Sequence, residues 1–121
     1  MLAFTIFKGG LNMKETLQDL KTRRSCRKYR PEQIKDEELE AILEAGTYAP
    51  TGMGKQSPVI VVVQDKETRD YLSKLNAEVM GADTDPFYGA PTVLIVLADR
   101  SRNTYVDDGN LVIGNLLNAA H

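Results

Sequence analysis

The stretch Tyr48-Ala49-Pro50-Thr51-Gly52-Met53-Gly54-Lys55-Gln56-Ser57-Pro58-Val59-Ile60-Val61-Val62-Val63 decides how the rest of the chain is read. Pro50, Gly52 and Gly54 fall close together, so residues 47–56 read as a loop. The β-branched run over 59–63, bounded by Pro58 and Asp65, reads as a strand buried on both faces. The loop therefore feeds a strand. That order, with the residues present, removes two phosphate-loop readings. A Walker loop needs Gly at position 49 and Ser or Thr after Gly54-Lys55, where the chain has Ala49 and Gln56. A GxGxxG loop follows its strand and needs Gly in place of Ser57. Taken alone, the stretch is a turn between a helix and a strand. Its glycines let backbone approach a ligand closely, and Gln56 can both donate and accept hydrogen bonds.

On the N-terminal side, Asp36 is expected to cap a helix and Glu37 and Glu38 to favour the positive end of its dipole. Leu39, Ile42 and Leu43 form its apolar stripe, and Gly46 is the expected stop. Before it, a helical pattern starts at Lys14, with Leu17 and Leu20 on one face, and runs into a basic segment closed by Pro31. That segment, 21–30, holds six of the chain's 15 basic residues: Lys21, Arg23, Arg24, Arg27, Lys28 and Arg30. Charge alone favours a solvated helix end interacting with the negative end of the dipole. The functional alternative is an anion site, in which guanidinium forks and the Ser25 hydroxyl meet phosphate oxygens. A nucleic-acid patch is not expected, because only Tyr29 is interleaved with the charges and the net charge of the chain is -2.

On the C-terminal side, Asp65 caps a third helix with Leu72, Leu75 and Val79 at helical spacing. Residues 81–91 form a loop, 92–98 a second buried strand, and a last helix begins at about Thr104. From 111 to 120 that helix is apolar nearly all round, broken by Gly114, Asn115 and Asn118, and such a helix belongs inside something larger. Asp83, Asp85, Asp107 and Asp108 read as helix caps and solvated turns in preference to cation ligands.

With 121 residues, 42% apolar and 26% charged, the chain is sized for one globular domain, here 13–121, with residues 1–12 as an appendage. One Cys, Cys26, excludes an intrachain disulfide, and one His, His121, leaves little for a His/Cys zinc site or a catalytic triad. No apolar run reaches the ~18 residues a membrane span needs, so the expected setting is cytoplasmic. Side chains for acid–base or nucleophilic work are scarce, which points to chemistry borrowed from a cofactor. Two strands make a marginal sheet, and the last helix meets no Gly or Pro stop. Either a second chain supplies the missing packing or the sequence is the N-terminal piece of a longer protein. The second is the expectation.

The basic segment Arg23-Arg24-Ser25-Cys26-Arg27-Lys28-Tyr29, followed by the loop over 48–58, by Phe87-Tyr88-Gly89-Ala90-Pro91 and by the helix over 107–120, resembles the FMN-dependent nitroreductase family. The resemblance extends over almost all of 13–121. It implies an α+β fold with helices around an antiparallel-rich mixed sheet, truncated here at the C-terminus, and an intertwined homodimer with FMN at its interface. It further implies that Arg23, Arg24, Ser25 and Arg27 hold the flavin phosphate, ribityl chain and pyrimidine edge. Pro50, Thr51, Gly52 and Met53, contributed by the other subunit, would face the ring, with Gln56 supporting their loop, and Asn76 matches a family Asn that contacts the flavin. The implied reaction uses NAD(P)H to reduce nitroaromatics, quinones or related acceptors by a ping-pong hydride mechanism, with no metal and no catalytic side chain. Two departures stand out. Gly54 occupies a position where many members carry Asn. The family also continues beyond this length, with a glycine-rich segment, a late basic residue and further strands. The competing expectation is a non-catalytic fragment or a module that binds a phosphorylated ligand without redox turnover.

Overall fold

The computed structural model describes residues 15–121, so the expected appendage 1–12 lies outside the described residues. Helix α1 (Glu15–Thr22) buries none of its residues, and Leu17 and Leu20 are exposed. It stops at Thr22, whose hydroxyl lies 3.0 Å from His121 Nε2. Of the basic residues in 21–30 only Lys21 is helical; Arg23, Arg24, Arg27, Lys28 and Arg30 follow in irregular backbone. This narrows the helix-end reading of the basic segment to Lys21, in the last turn, and Arg24 just beyond it. The Arg24 guanidinium donates to the carbonyls of Lys21 and Arg23 at 2.8 Å each, taking up acceptors at the point where the helix ends.

Helix α2 (Asp36–Thr47) differs from expectation at both ends. Lys35 is the N-cap and Asp36 the first helical residue, while the Glu38 carboxylate accepts from the Lys35 N–H at 3.4 Å. The acidic residues still crowd the first turn, where the dipole favours them. Gly46 does not stop the helix, which continues through Thr47. A Cβ on Gly46 would lie 2.6 Å from Leu116 Cδ2 and 2.9 Å from Ile60 Cδ1. The missing side chain allows close approach of another helix; it does not end this one.

Strand β1 (Val59–Val63) leads into helix α3 (Lys66–Met80), which leads into strand β2 (Val93–Leu97). Asp65 caps α3 as expected, its Oδ2 accepting from the Thr68 N–H at 2.8 Å and the Thr68 hydroxyl at 2.7 Å. Gly81 (φ 64) closes α3, with Ala82 N–H donating to Ala77 O at 3.0 Å. The strands pair antiparallel, Val59 opposite Leu97 and Val63 opposite Val93. A helix between strands usually returns the chain parallel; here the segment 81–91 reverses it.

Side chains alternate across this pair. Ile60, Leu94 and Val96 pack against Ile42, Ala49, Val112 and Leu116, which form the core between α2, β1–β2 and helix α4 (Tyr105–Ala119). Asn115 on α4 donates to the Ala45 carbonyl at 2.9 Å, adding a polar tie to α2. The expectation of strands buried on both faces is corrected: most of their residues are half-buried, and Val59 and Leu97 are exposed. Grooves lie on both sides of the sheet, which explains the partial burial. The last helix buries Val112 and Leu116 but leaves Leu111, Ile113 and Leu117 exposed. Among the described residues no helix is long and apolar enough to cross a membrane.

Candidate functional site

The loop after α2 is held largely by its own backbone. Ala49 is buried, Gly54 N–H donates to Thr51 O at 2.9 Å, and Lys55 N–H donates to Gly52 O at 3.3 Å, which closes a short 3-10 turn at Gly52–Gly54. The Thr51 hydroxyl accepts from Gln56 N–H at 2.9 Å. Met53 and Gln56 sit at φ 57 and φ 51, a left-handed conformation that side chains disfavour. The turn leaves Met53 87% exposed. Beside the loop a groove of about 740 Å³ runs between α2 and β1, lined by Leu43, Gly46, Thr47, Tyr48, Gln56, Pro58, Ile60, Val62 and Val112. Its walls are mainly aliphatic, with Tyr48 and Gln56 offering polar groups.

One bond outside the loop ties it to the scaffold. Gly52 N–H donates to Asp108 Oδ1 at 2.8 Å, and Asp108 Oδ2 accepts from the Thr104 hydroxyl at 2.9 Å. Asp108 lies in the first turn of α4 and is 2% exposed. The cap-or-turn reading missed this link. The spacing Thr104-to-Asp108 at a helix start was the available signal, but nothing in it names Gly52.

The basic segment forms a second locus. Arg23 is half-buried, and Arg24, Ser25 and Arg27 are exposed. Local bonds shape it: Tyr29 Oη donates to Cys26 O at 3.0 Å, and Cys26 Sγ donates to Lys28 O at 3.2 Å. The Arg27 guanidinium lies 6.0 Å from the centre of the Tyr88 ring, at the outer reach of a cation–π contact. Downstream, Gln33 ties together the residue after β1 and the approach to β2, its Nε2 donating to Gln64 O at 3.2 Å and Pro91 O at 3.1 Å. The Thr92 hydroxyl returns a bond to Gln33 Oε1 at 2.5 Å.

Tyr88 belongs to a segment organised by Asp85. That carboxylate accepts from the Arg69 guanidinium, from Ser73 Oγ at 2.6 Å, from Phe87 N–H at 3.0 Å and from Gly89 N–H at 2.7 Å. Burial alone raises its pKa, but the bonds from Arg69, Ser73, Gly89 and Phe87 outweigh burial and hold the carboxyl well below the usual carboxylate range. Arg69, itself buried, also donates through Nε to Ala90 O at 2.9 Å and lies over the Phe87 ring at 5.4 Å.

The expected site residues thus fall into separate groups. Arg23, Arg24, Ser25 and Arg27 share the basic segment, and Arg27 reaches Tyr88. Asn76 is exposed on α3 and lines a second groove of about 510 Å³ with Leu72, Leu75 and Phe87. Pro50, Thr51, Gly52, Met53 and Gln56 sit together at the start of α4. Among the described residues no hydrogen bond or ion pair joins this loop to Arg23, Arg24, Ser25 or Arg27 within one chain. Nor does any group of three or more His, Cys, Asp or Glu residues there form a metal cradle.

Comparison with known proteins adds an independent line. The model of a family described as the nitroreductase family matches residues 20–121. The chain is similar to an FMN reductase [NAD(P)H] of Bacillus subtilis, 33% identical over 90 residues, which is 74% of this chain and 34% of that protein. Among solved structures it is similar to a Bacteroides fragilis nitroreductase with bound FMN (TM-score 0.80, 31% identity, 89% of this chain and 65% of that one). It is also similar to an FMN-dependent nitroreductase of Clostridium difficile R20291 (TM-score 0.75, 36% identity, 88% of this chain and 55% of that one). The chain spans between 34% and 62% of the length of the curated relatives it matches.

Proposed function

The chain belongs to the nitroreductase family, and from that premise we propose that it is the N-terminal part of an FMN-dependent oxidoreductase driven by NAD(P)H. The observation that carries the proposal is the set of three arginines, Arg23, Arg24 and Arg27, gathered in the basic segment. Among the described residues none of Arg23, Arg24 and Arg27 is paired with a carboxylate, although acidic residues outnumber basic ones in the chain. Such a set suits a phosphomonoester, because guanidinium forks match phosphate oxygens in charge and in bond direction. The loop over 50–56 suits a planar ring: its 3-10 turn brings backbone and the exposed Met53 side chain to a surface where an aromatic face could rest. The donor set therefore fits FMN.

In this reading Arg23, Arg24, Ser25 and Arg27 bind the phosphate, ribityl chain and pyrimidine edge, and Asn76 adds a polar contact. Pro50, Thr51, Gly52 and Met53 of a second subunit cover the ring, with Gln56 bracing their loop. The separation of the two loci within one chain is what a site shared across a homodimer requires. When bound, the flavin supplies the hydride-accepting and hydride-donating centre, and the protein binds, orients and desolvates it. A ping-pong order, acceptors such as nitroaromatics and quinones, and a cytoplasmic setting belong to the same proposal.

The test is the visible absorption spectrum of the purified chain with and without added FMN. A bound-flavin spectrum that bleaches on adding NADH or NADPH is the expected result. Arg27→Ala should weaken FMN about tenfold through loss of a charge-assisted bond, with little change in thermal stability. A colourless protein that takes up no FMN overturns redox function for this chain alone and leaves two readings, a non-catalytic fragment or a module that binds a phosphorylated ligand.

A further inference from the structure

We infer that Asp108, together with Thr104, is the positioning residue of the 50–56 loop: a buried carboxylate that acts through Gly52 to hold the surface offered to the flavin. The inference rests on the flavin reading for what the loop meets, and on geometry alone for what holds the loop.

Asp108 is 2% exposed, and its two oxygens take the Gly52 N–H at 2.8 Å and the Thr104 hydroxyl at 2.9 Å. A buried carboxylate is unfavourable unless hydrogen-bonded, and the first turn of α4 adds the positive end of the helix dipole. Stabilising the helix start alone needs neither burial nor a partner in another segment. Here one oxygen serves residue 104 and the other reaches residue 52.

The approach is close as well as bonded. A Cβ on Gly52 would overlap the Thr104 hydroxyl and lie 3.0 Å from Thr104 Cβ, so the loop rests directly on the start of α4. Gly52 is also the first residue of the 3-10 turn, and its carbonyl accepts from Lys55 N–H. What fixes Gly52 therefore fixes the turn. Met53 and Gln56, both left-handed, are disfavoured locally and persist only where the surroundings over-determine them. The Asp108 bond is the tie to the scaffold that supplies this constraint.

The experiment compares the 121-residue chain with Asp108→Ala, Asp108→Asn and Thr104→Val. Two readouts are used: amide hydrogen exchange at Gly52 and Gln56 in flavin-free protein, and FMN affinity from quenching of flavin fluorescence. Asp108→Ala should speed exchange at Gly52 and Gln56 about tenfold and weaken FMN about tenfold. Asp108→Asn keeps an oxygen acceptor for Gly52 and should stay within about threefold of the parent on both readouts. Parent-like exchange at Gly52 in Asp108→Ala overturns the inference, and so does Asp108→Asn behaving as the alanine variant does. If Asp108→Ala does not fold, Thr104→Val decides in the same way: faster Gly52 exchange supports the inference and unchanged exchange overturns it. Should the parent itself take up no FMN, the flavin reading fails, while the exchange comparison still decides the role of Asp108.

Discussion

Asp85 shows how much can hang on one carboxylate in a small protein. It gathers Arg69 and Ser73 from α3 and the backbone of Phe87 and Gly89 from the segment that reverses the chain. Because its pKa is depressed in the folded protein, its contribution is fully present above the unfolded carboxylate value of about 4. It is lost as pH falls below that, towards the depressed folded value. Asp85→Asn should therefore destabilise the protein near neutrality by about 2 kcal/mol, reduced from a fully buried case because the side chain is partly exposed. It should also flatten the acid limb of a stability–pH curve measured by urea unfolding. An acid limb identical to the parent's would contradict this account. Neither Asp85 nor Asp108 was legible as more than a turn or cap residue. Aspartate is common at both kinds of position, and the deciding partners lie 12, 16 and 56 positions away, where local pattern carries no information.

Element positions were more legible than element ends. The run over 59–63 is a strand with the expected bounds, and 92–98 contracts only to Val93–Leu97, because β-branched runs flanked by Pro and Asp carry a strong local signal. At the ends of α2 a long-range contact or a side-chain bond outweighed the local cue. Gly46 looked like a stop because glycine often is one, but Leu116 and Ile60 occupy the space that a side chain there would need. Gly46→Ala would gain about 1 kcal/mol in helix propensity and lose about 2 kcal/mol in overpacking. The expected net is a destabilisation of about 1 kcal/mol, seen as a lower urea midpoint with an unchanged slope. A stabilised variant would show that α4 can move away freely. The exposed face of α4 follows the same logic. The all-round apolar pattern was legible, and Leu111, Ile113 and Leu117 show which part of it the described residues leave uncovered.

For the whole molecule, the resemblance carried by the basic segment and the loop agrees with the family match over 20–121. Their placement relative to each other was not legible, since no local pattern states whether two loops meet within a chain or between chains. If each flavin site is shared as proposed, the chain should sediment as a dimer, at twice 13.4 kDa, at the concentration where FMN is retained. A flavin-loaded monomer would contradict the shared site. The order of elements has a kinetic consequence too. The unit β1–α3–β2 is enclosed by α2 before it and α4 after it, and those two helices pack on each other. Pairing the strands first brings the ends of α2 and α4 near one another, so the outer closure no longer has to gather a long free coil. If the strands pair first, assembly runs from the middle outward, and the loop over 50–56 gains its bond to Asp108 only when the last helix docks.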